Sequence, residues 1–143
     1  MNRIAFSIGE PSGIGPEVVL KSLNSEPLLE RCTPVIYAAP EFVLQQAKAF
    51  GVDTDLIHVS TDIYDLVKGQ INVLDVWNDT SGIPSGKPSP ESGLKAFQSL
   101  EKAFSDVRLG KMKALITAPI DKKNIQQKGF SFPCHTEYLA AGT

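Results

Sequence analysis

Residues able to do chemistry gather in three short segments. The first, Gly9-Glu10-Pro11-Ser12-Gly13-Ile14-Gly15-Pro16-Glu17, sets two carboxyl groups around a glycine-rich turn. The second, Leu115-Ile116-Thr117-Ala118-Pro119-Ile120-Asp121-Lys122, ends an apolar run in a proline turn that presents an acid and an ammonium. The third, Cys134-His135-Thr136-Glu137, places imidazole, hydroxyl and carboxyl side by side. Glycines between a strand and a helix let a phosphate approach backbone N–H groups, so the first segment invites comparison with a dinucleotide-binding fingerprint. The comparison fails in detail. Gly13 and Gly15 supply a GxG, but the third glycine position falls on Val18, and no acid follows at the spacing of a ribose site. The plain alternative is a tight turn before a helix. Glu17 suits that alternative as a first-turn acid favoured by the helix dipole, whereas Glu10 is not explained by it.

The other two segments also carry two readings each. Lys122 at the carboxyl end of a strand would meet a phosphate or carboxylate as a point charge. Otherwise it is a solvated lysine beside Lys123, with Asp121 capping a helix. At a helix start around His135, an anion would find free N–H groups, the Thr136 hydroxyl and an imidazole donor. Otherwise Thr136 caps the helix and His135 lies on the surface. His58, the other histidine of the chain, lies far away in a short strand, so no pair has metal-ligand spacing. Cys32 and Cys134 belong to no CxxC pair and read as two reduced thiols.

Short β-rich runs alternating with helical runs must position these segments. Ile4–Ile8, Pro34–Ala38, Leu56–Val59, Ile71–Trp77 and Ala114–Thr117 read as strands. Pro16 and Pro40 sit where a missing N–H costs nothing, at the first turn of a helix. Val18, Val19 and Leu23 are expected inward on the first of these helices. Phe42, Val43, Ala47 and Phe50 are expected inward on the second, with Gly51 as its stop. Glu91–Leu109 is the clearest helix, with Leu94, Phe97, Leu100, Phe104 and Val107 recurring at spacings of three and four. Two further short helices are expected over 121–128 and 135–141. Residues 78–90 form a long polar loop, which inside a compact domain is functional or connecting. The alternation predicts an α/β unit with a parallel sheet covered by helices, and chemistry at the carboxyl ends of its strands. No internal boundary is visible over 1–143, and the chain stops as its last helix begins, which suggests part of a longer protein.

Composition narrows the function classes. The 143 residues carry 14 basic and 16 acidic side chains, a net charge of −2, which leaves no basic excess for nucleic-acid binding by counterion release. A hydrophobic fraction of 42% and a charged fraction of 21% are those of a globular chain. No leader-like segment and no run near the roughly 20 apolar residues of a membrane span appears. A cytoplasmic protein that engages neither nucleic acid nor membrane is expected.

Taken together and in order, Glu10-Pro11-Ser12-Gly13-Ile14-Gly15-Pro16-Glu17, Thr117-Ala118-Pro119-Ile120-Asp121-Lys122 and His135-Thr136-Glu137-Tyr138-Leu139-Ala140 resemble the signatures of the 4-hydroxythreonine-4-phosphate dehydrogenase family. The resemblance covers the whole chain, which looks like the N-terminal portion of a family member. It implies the three-layer α/β/α fold of the isocitrate and isopropylmalate dehydrogenases, incomplete in this fragment. It also implies oxidation of 4-phosphooxy-L-threonine at C3 by NAD or NADP, then decarboxylation to 3-amino-2-oxopropyl phosphate, in pyridoxal phosphate biosynthesis. A divalent metal (zinc, magnesium or cobalt) would stabilise the developing alkoxide and enolate charge. In such a family that metal is held by histidines downstream of Thr143, in a homodimer whose subunits complete each other's site, so no metal ligand is expected within this fragment.

By the same resemblance His135 and Thr136 contact the substrate. Lys122, Glu10, Gly13 and Gly15 contact substrate or phosphate, or shape the cleft. Two positions depart from the family pattern. Cys134 stands where glycine is usual, and a glycine adopts a positive φ that cysteine resists. Glu10 stands where aspartate is usual. Two rival readings accompany this one. A dehydrogenase of phosphorylated four-carbon sugar acids, threonate or erythronate 4-phosphate, would share the motifs. A truncated unit that only binds phosphate or dimerises would be inactive as an isolated 143-residue chain.

Overall fold

The computed structural model describes residues 1–78 and 87–120. Five strands, β1 (Arg3–Ser7), β2 (Thr33–Ala38), β3 (Ile57–Ser60), β4 (Ile71–Asp75) and β5 (Ala114–Thr117), form one sheet in the order β3-β4-β2-β1-β5. Every neighbouring pair is parallel. The central strand β2 is buried along its whole length, as a strand covered on both faces must be, and its sequence is correspondingly an unbroken run of mostly apolar residues.

The helices α1 (Gly15–Leu23), α2 (Glu26–Arg31) and α3 (Pro40–Ala49) pack on one face, where Phe6, Ile8, Ile36 and Val73 meet Val19, Leu20, Leu29 and Phe42. The long helix α4 (Pro90–Arg108) packs on the other, over Ala5, Val35 and Tyr37. The result is the parallel sheet covered by helices that the alternation predicts, in the α/β/α layering that the resemblance implies. Proline opens α1, α3 and α4 at the first or second position, where its fixed φ suits the helix and its missing N–H removes a donor that would otherwise lack a partner. Gly51 follows α3 at φ +72°, a left-handed stop that favours glycine.

Several expectations need correction. Strand β4 ends at Asp75 rather than Trp77, because the Asp75 side chain accepts the Trp77 and Asn78 N–H groups at 3.1 and 2.9 Å and turns the chain out of the sheet. Leu56 closes a single 3-10 turn, Thr54–Leu56, ahead of β3. Helix α2 was not foreseen, since six residues hold too little periodicity to read. Val18, expected inward, is 44% exposed, and Leu94, the first residue of the apolar repeat on α4, is 39% exposed. On α4 the buried face is rotated toward Ser92, Lys95, Ala96, Ser99, Ala103 and Asp106. Leu100 and Phe104 are buried there as well, while Leu94 is turned outward. The two short helices expected after β5 lie outside the described residues.

Candidate functional site

The carboxyl ends of β1, β2, β4 and β5 all open on one side of the sheet, and the turn between β1 and α1 stands there. Gly9 leaves β1 at φ +74°, and a Cβ on it would lie 2.2 Å from the Pro119 carbonyl oxygen. The Glu10 N–H donates to that same carbonyl at 2.8 Å. A Cβ on Gly15 would lie 2.4 Å from the Ile8 carbonyl oxygen and 3.3 Å from the Pro119 carbonyl oxygen. Gly9 and Gly15 are therefore needed so that the first motif and the Thr117-Ala118-Pro119 end of the second can touch. Among the described residues, the atoms nearest a Cβ on Gly13 would be Glu10 side-chain and carbonyl atoms at 3.4 to 3.6 Å, which is ordinary contact. The Gly13 N–H closes the turn on the Glu10 carbonyl at 3.0 Å.

Glu10 is 4% exposed. A carboxyl group withheld from water requires a hydrogen-bond partner, and α4 supplies one: the Ser92 hydroxyl donates to Glu10 Oε1 at 2.5 Å. Ser92 is itself fixed by a capping box. Its N–H donates to Ser89 Oγ at 3.1 Å, and its Oγ accepts the Ser89 N–H at 2.8 Å. Two turns further on, Ser99 Oγ accepts the Ile8 N–H at 2.9 Å and donates to the Tyr37 carbonyl at 2.6 Å. Between them on the same face Lys95 is buried, its Nζ 5.6 Å from the centre of the Trp77 ring, while its carbonyl accepts the Trp77 indole N–H at 2.8 Å. Trp77 also meets Phe42 edge to face at 5.3 Å. Ser7 and Ser12, buried in β1 and in the turn, have hydroxyls with no hydrogen-bond partner among the described residues.

A second polar group on α4 stands deeper. The Tyr37 hydroxyl donates to Asp106 Oδ2 at 2.7 Å, and Lys102 Nζ lies 3.1 Å from Asp106 Oδ1. Burial and the neighbouring carboxylate hold the Tyr37 hydroxyl well above the usual tyrosine range. Cys32 stands apart from the turn, partly buried, with its thiol pushed up by burial.

Of the residues singled out in the sequence, Glu10, Gly13 and Gly15 lie together in this turn, beside the Thr117–Pro119 end of the second motif. Lys122, His135 and Thr136 lie outside the described residues, as do Asp121, Cys134 and Glu137. Sequence reasoning missed Ser92, Lys95 and Ser99. Their spacing of three and four along α4 was the available signal, masked by the stronger apolar stripe beside it. Among the described residues no three His, Cys, Asp or Glu side chains gather as a metal site. The turn does not fit a dinucleotide either. The space that a phosphate would need at Gly15 is filled by the chain's own carbonyls.

Residues 30–143 match the family model described as pyridoxal phosphate biosynthetic protein PdxA. A 4-hydroxythreonine-4-phosphate dehydrogenase of Bacteroides thetaiotaomicron is 36% identical over 137 residues, covering 96% of this chain and 37% of that protein. A protein of Oceanobacillus iheyensis named "Putative D-threonate 4-phosphate dehydrogenase" is 32% identical over 139 residues, covering 96% and 42%. The crystal structure of a 4-hydroxythreonine-4-phosphate dehydrogenase from Burkholderia phymatum superposes with a TM-score of 0.87 at 27% identity, covering 99% of this chain and 43% of that one. The chain thus spans about two fifths of the length of the proteins it resembles.

Proposed function

The chain belongs to the family of the pyridoxal phosphate biosynthetic protein PdxA, and from that premise we propose that it is the N-terminal portion, a single α/β unit over 1–143, of a dehydrogenase acting on a phosphorylated hydroxy acid. The substrate in this reading is 4-phosphooxy-L-threonine. Its C3 hydroxyl is oxidised with hydride passing to NAD or NADP, and the resulting amino keto acid loses carbon dioxide to give 3-amino-2-oxopropyl phosphate. The observation that carries the reading is the 36% identity, over nearly the whole chain, to a 4-hydroxythreonine-4-phosphate dehydrogenase. The meeting of the Glu10 turn with Pro119 at the carboxyl edge of the sheet supports it, since ligands of open parallel sheets bind at that edge.

His135 and Thr136 contact the substrate in this proposal, Lys122 its phosphate or carboxylate, and the Glu10 turn with Gly13 and Gly15 shapes the cleft. The nicotinamide and a divalent metal (zinc, magnesium or cobalt) supply hydride acceptance and charge stabilisation when bound. Neither is assigned a place on the described residues. A cytoplasmic homodimer with shared sites completes the reading. No helix among the described residues is long and apolar enough to cross a membrane.

The 32% identity to the Oceanobacillus relative favours a second reading, oxidation of threonate 4-phosphate, and erythronate 4-phosphate belongs to the same class of phosphorylated four-carbon sugar acids. The two substrates differ by an amino or hydroxyl group on one carbon. Only the amino acid yields the aminoketone phosphate on decarboxylation, so product analysis after turnover by the full-length protein separates them. Formation of 3-amino-2-oxopropyl phosphate with one nicotinamide reduced per carbon dioxide released is expected. Nicotinamide reduction without that product would contradict the proposal. His135→Ala in the full-length protein is expected to raise KM and lower kcat/KM by the equivalent of about 2 kcal/mol, one charge-assisted hydrogen bond. Unchanged steady-state kinetics would return His135 to the surface.

A further inference from the structure

The ladder between β1 and β2 has a regular rhythm. The Thr33 N–H donates to the Asn2 carbonyl at 2.7 Å, and the pairs Arg3↔Thr33, Ala5↔Val35 and Ser7↔Tyr37 repeat that relation at every second residue. The rung that closes the last pair runs, in a parallel ladder, from the Ile8 N–H to the Tyr37 carbonyl. Ser99 takes its place. The Ile8 N–H donates to Ser99 Oγ, and the same hydroxyl donates to the Tyr37 carbonyl. A serine hydroxyl has one proton and can accept as well, so both strand groups are satisfied while a heavy atom stands between them. Ile8, Tyr37 and Ser99 are each 0% exposed, so no water competes for these bonds. The insertion falls one residue before Gly9, where the chain turns out toward Glu10, and Ser92, seven residues earlier on α4, holds the Glu10 side chain.

We propose that Ser99 is a positioning residue: its hydroxyl, inserted as a wedge in the last β1–β2 rung, parts the two strands at their carboxyl ends and so sets where the Glu10 turn stands at the carboxyl edge of the sheet. Ser99 and Ser92 together make α4 a two-point support for that turn. The consequence for turnover rests on the dehydrogenase reading above, and the strand geometry does not.

Nuclear magnetic resonance tests the geometry directly. In the unaltered chain, scalar coupling across the hydrogen bond is expected between the Phe6 amide nitrogen and the Val35 carbonyl carbon, the preceding rung, and is expected to be absent between Ile8 and Tyr37. An Ile8–Tyr37 coupling there would overturn the proposal, whether or not any variant folds. In Ser99→Ala the strands are expected to close and that coupling to appear, while Ser99→Thr, which keeps the hydroxyl, is expected to stay without it. In the full-length protein Ser99→Ala is expected to lower kcat/KM per folded molecule at least about tenfold, with Ser99→Thr restoring it, because a displacement of about 1 Å at a site is felt strongly in rate. A purely structural serine would lower the melting temperature and leave that ratio unchanged, which would overturn the positioning role. If the unaltered full-length protein oxidises neither phosphorylated substrate, the activity reading falls, and the coupling measurement still decides the wedge.

Discussion

A methyl group on Gly15 would sit 2.4 Å from the Ile8 carbonyl oxygen, whereas one on Gly13 would sit 3.4 Å from Glu10 Cγ. The two glycines of the GxG therefore have different duties. Gly15→Ala forces backbone apart and is expected to cost roughly 2–3 kcal/mol of stability. Gly13→Ala meets no clash at a φ that alanine accepts, so it is expected to be neutral or stabilising by up to about 1 kcal/mol through the unfolded chain. Chemical denaturation of the two variants checks this, and equal losses would contradict the packing account. Tyr37 makes a second prediction at this scale. Its hydroxyl keeps its proton in the fold at pH values where the unfolded chain, with an ordinary value near 10.0, releases it. That contribution is therefore complete below about pH 10 and is lost as pH rises beyond it. Tyrosine absorbance followed together with circular dichroism should show one ionisation that appears only as the fold is lost. Tyr37→Phe should remove that step and cost about 2 kcal/mol at neutral pH, by withdrawing a hydrogen bond from the buried Asp106 carboxylate. An early, reversible ionisation of every tyrosine would contradict it.

The element that organises the site is α4. Its cap is a reciprocal pair, Ser89 with Ser92, and the same Ser92 hydroxyl serves Glu10. Ser89→Ala is expected to cost about 1 kcal/mol as a lost N-cap. It is also expected to raise amide exchange in the 9–13 turn, which a cap isolated from the site would leave untouched. The existence of α4 was legible, because Leu100 and Phe104 repeat at helical spacing, but its orientation was not. Hydrophobic periodicity finds the widest apolar stripe, and here the buried face also carries Ser92, Lys95, Ser99 and Asp106, whose partners across the fold lie 62 to 91 residues away in sequence for the two serines and the aspartate. Strands β1, β2 and β4 were legible to within one or two residues because buried parallel strands are nearly continuous apolar runs, and β3 and the more exposed β5 were legible to within one residue from short runs rich in β-branched and apolar residues. The early end of β4 was not, since it depends on the Asp75 side chain capturing two N–H groups just beyond it. In the first motif the glycine types pointed to a constrained turn. The contact with Pro119 that constrains it joins residues over a hundred positions apart and leaves no local trace.

At the scale of the molecule, the described strands bring the first motif and the start of the second to one edge. The chain spans 37 to 43% of the length of the proteins it resembles. An α/β unit of this size folds around its own core, so the isolated chain is expected to show a cooperative melt and yet to reduce no nicotinamide. The full-length protein is expected to reduce it. The most direct test of the whole account is nicotinamide reduction by the full-length protein, measured in parallel with 4-phosphooxy-L-threonine and with threonate and erythronate 4-phosphate. The account predicts a higher kcat/KM for the phosphorylated amino acid. A higher kcat/KM for either sugar acid, or no reduction with any of the three, would contradict it.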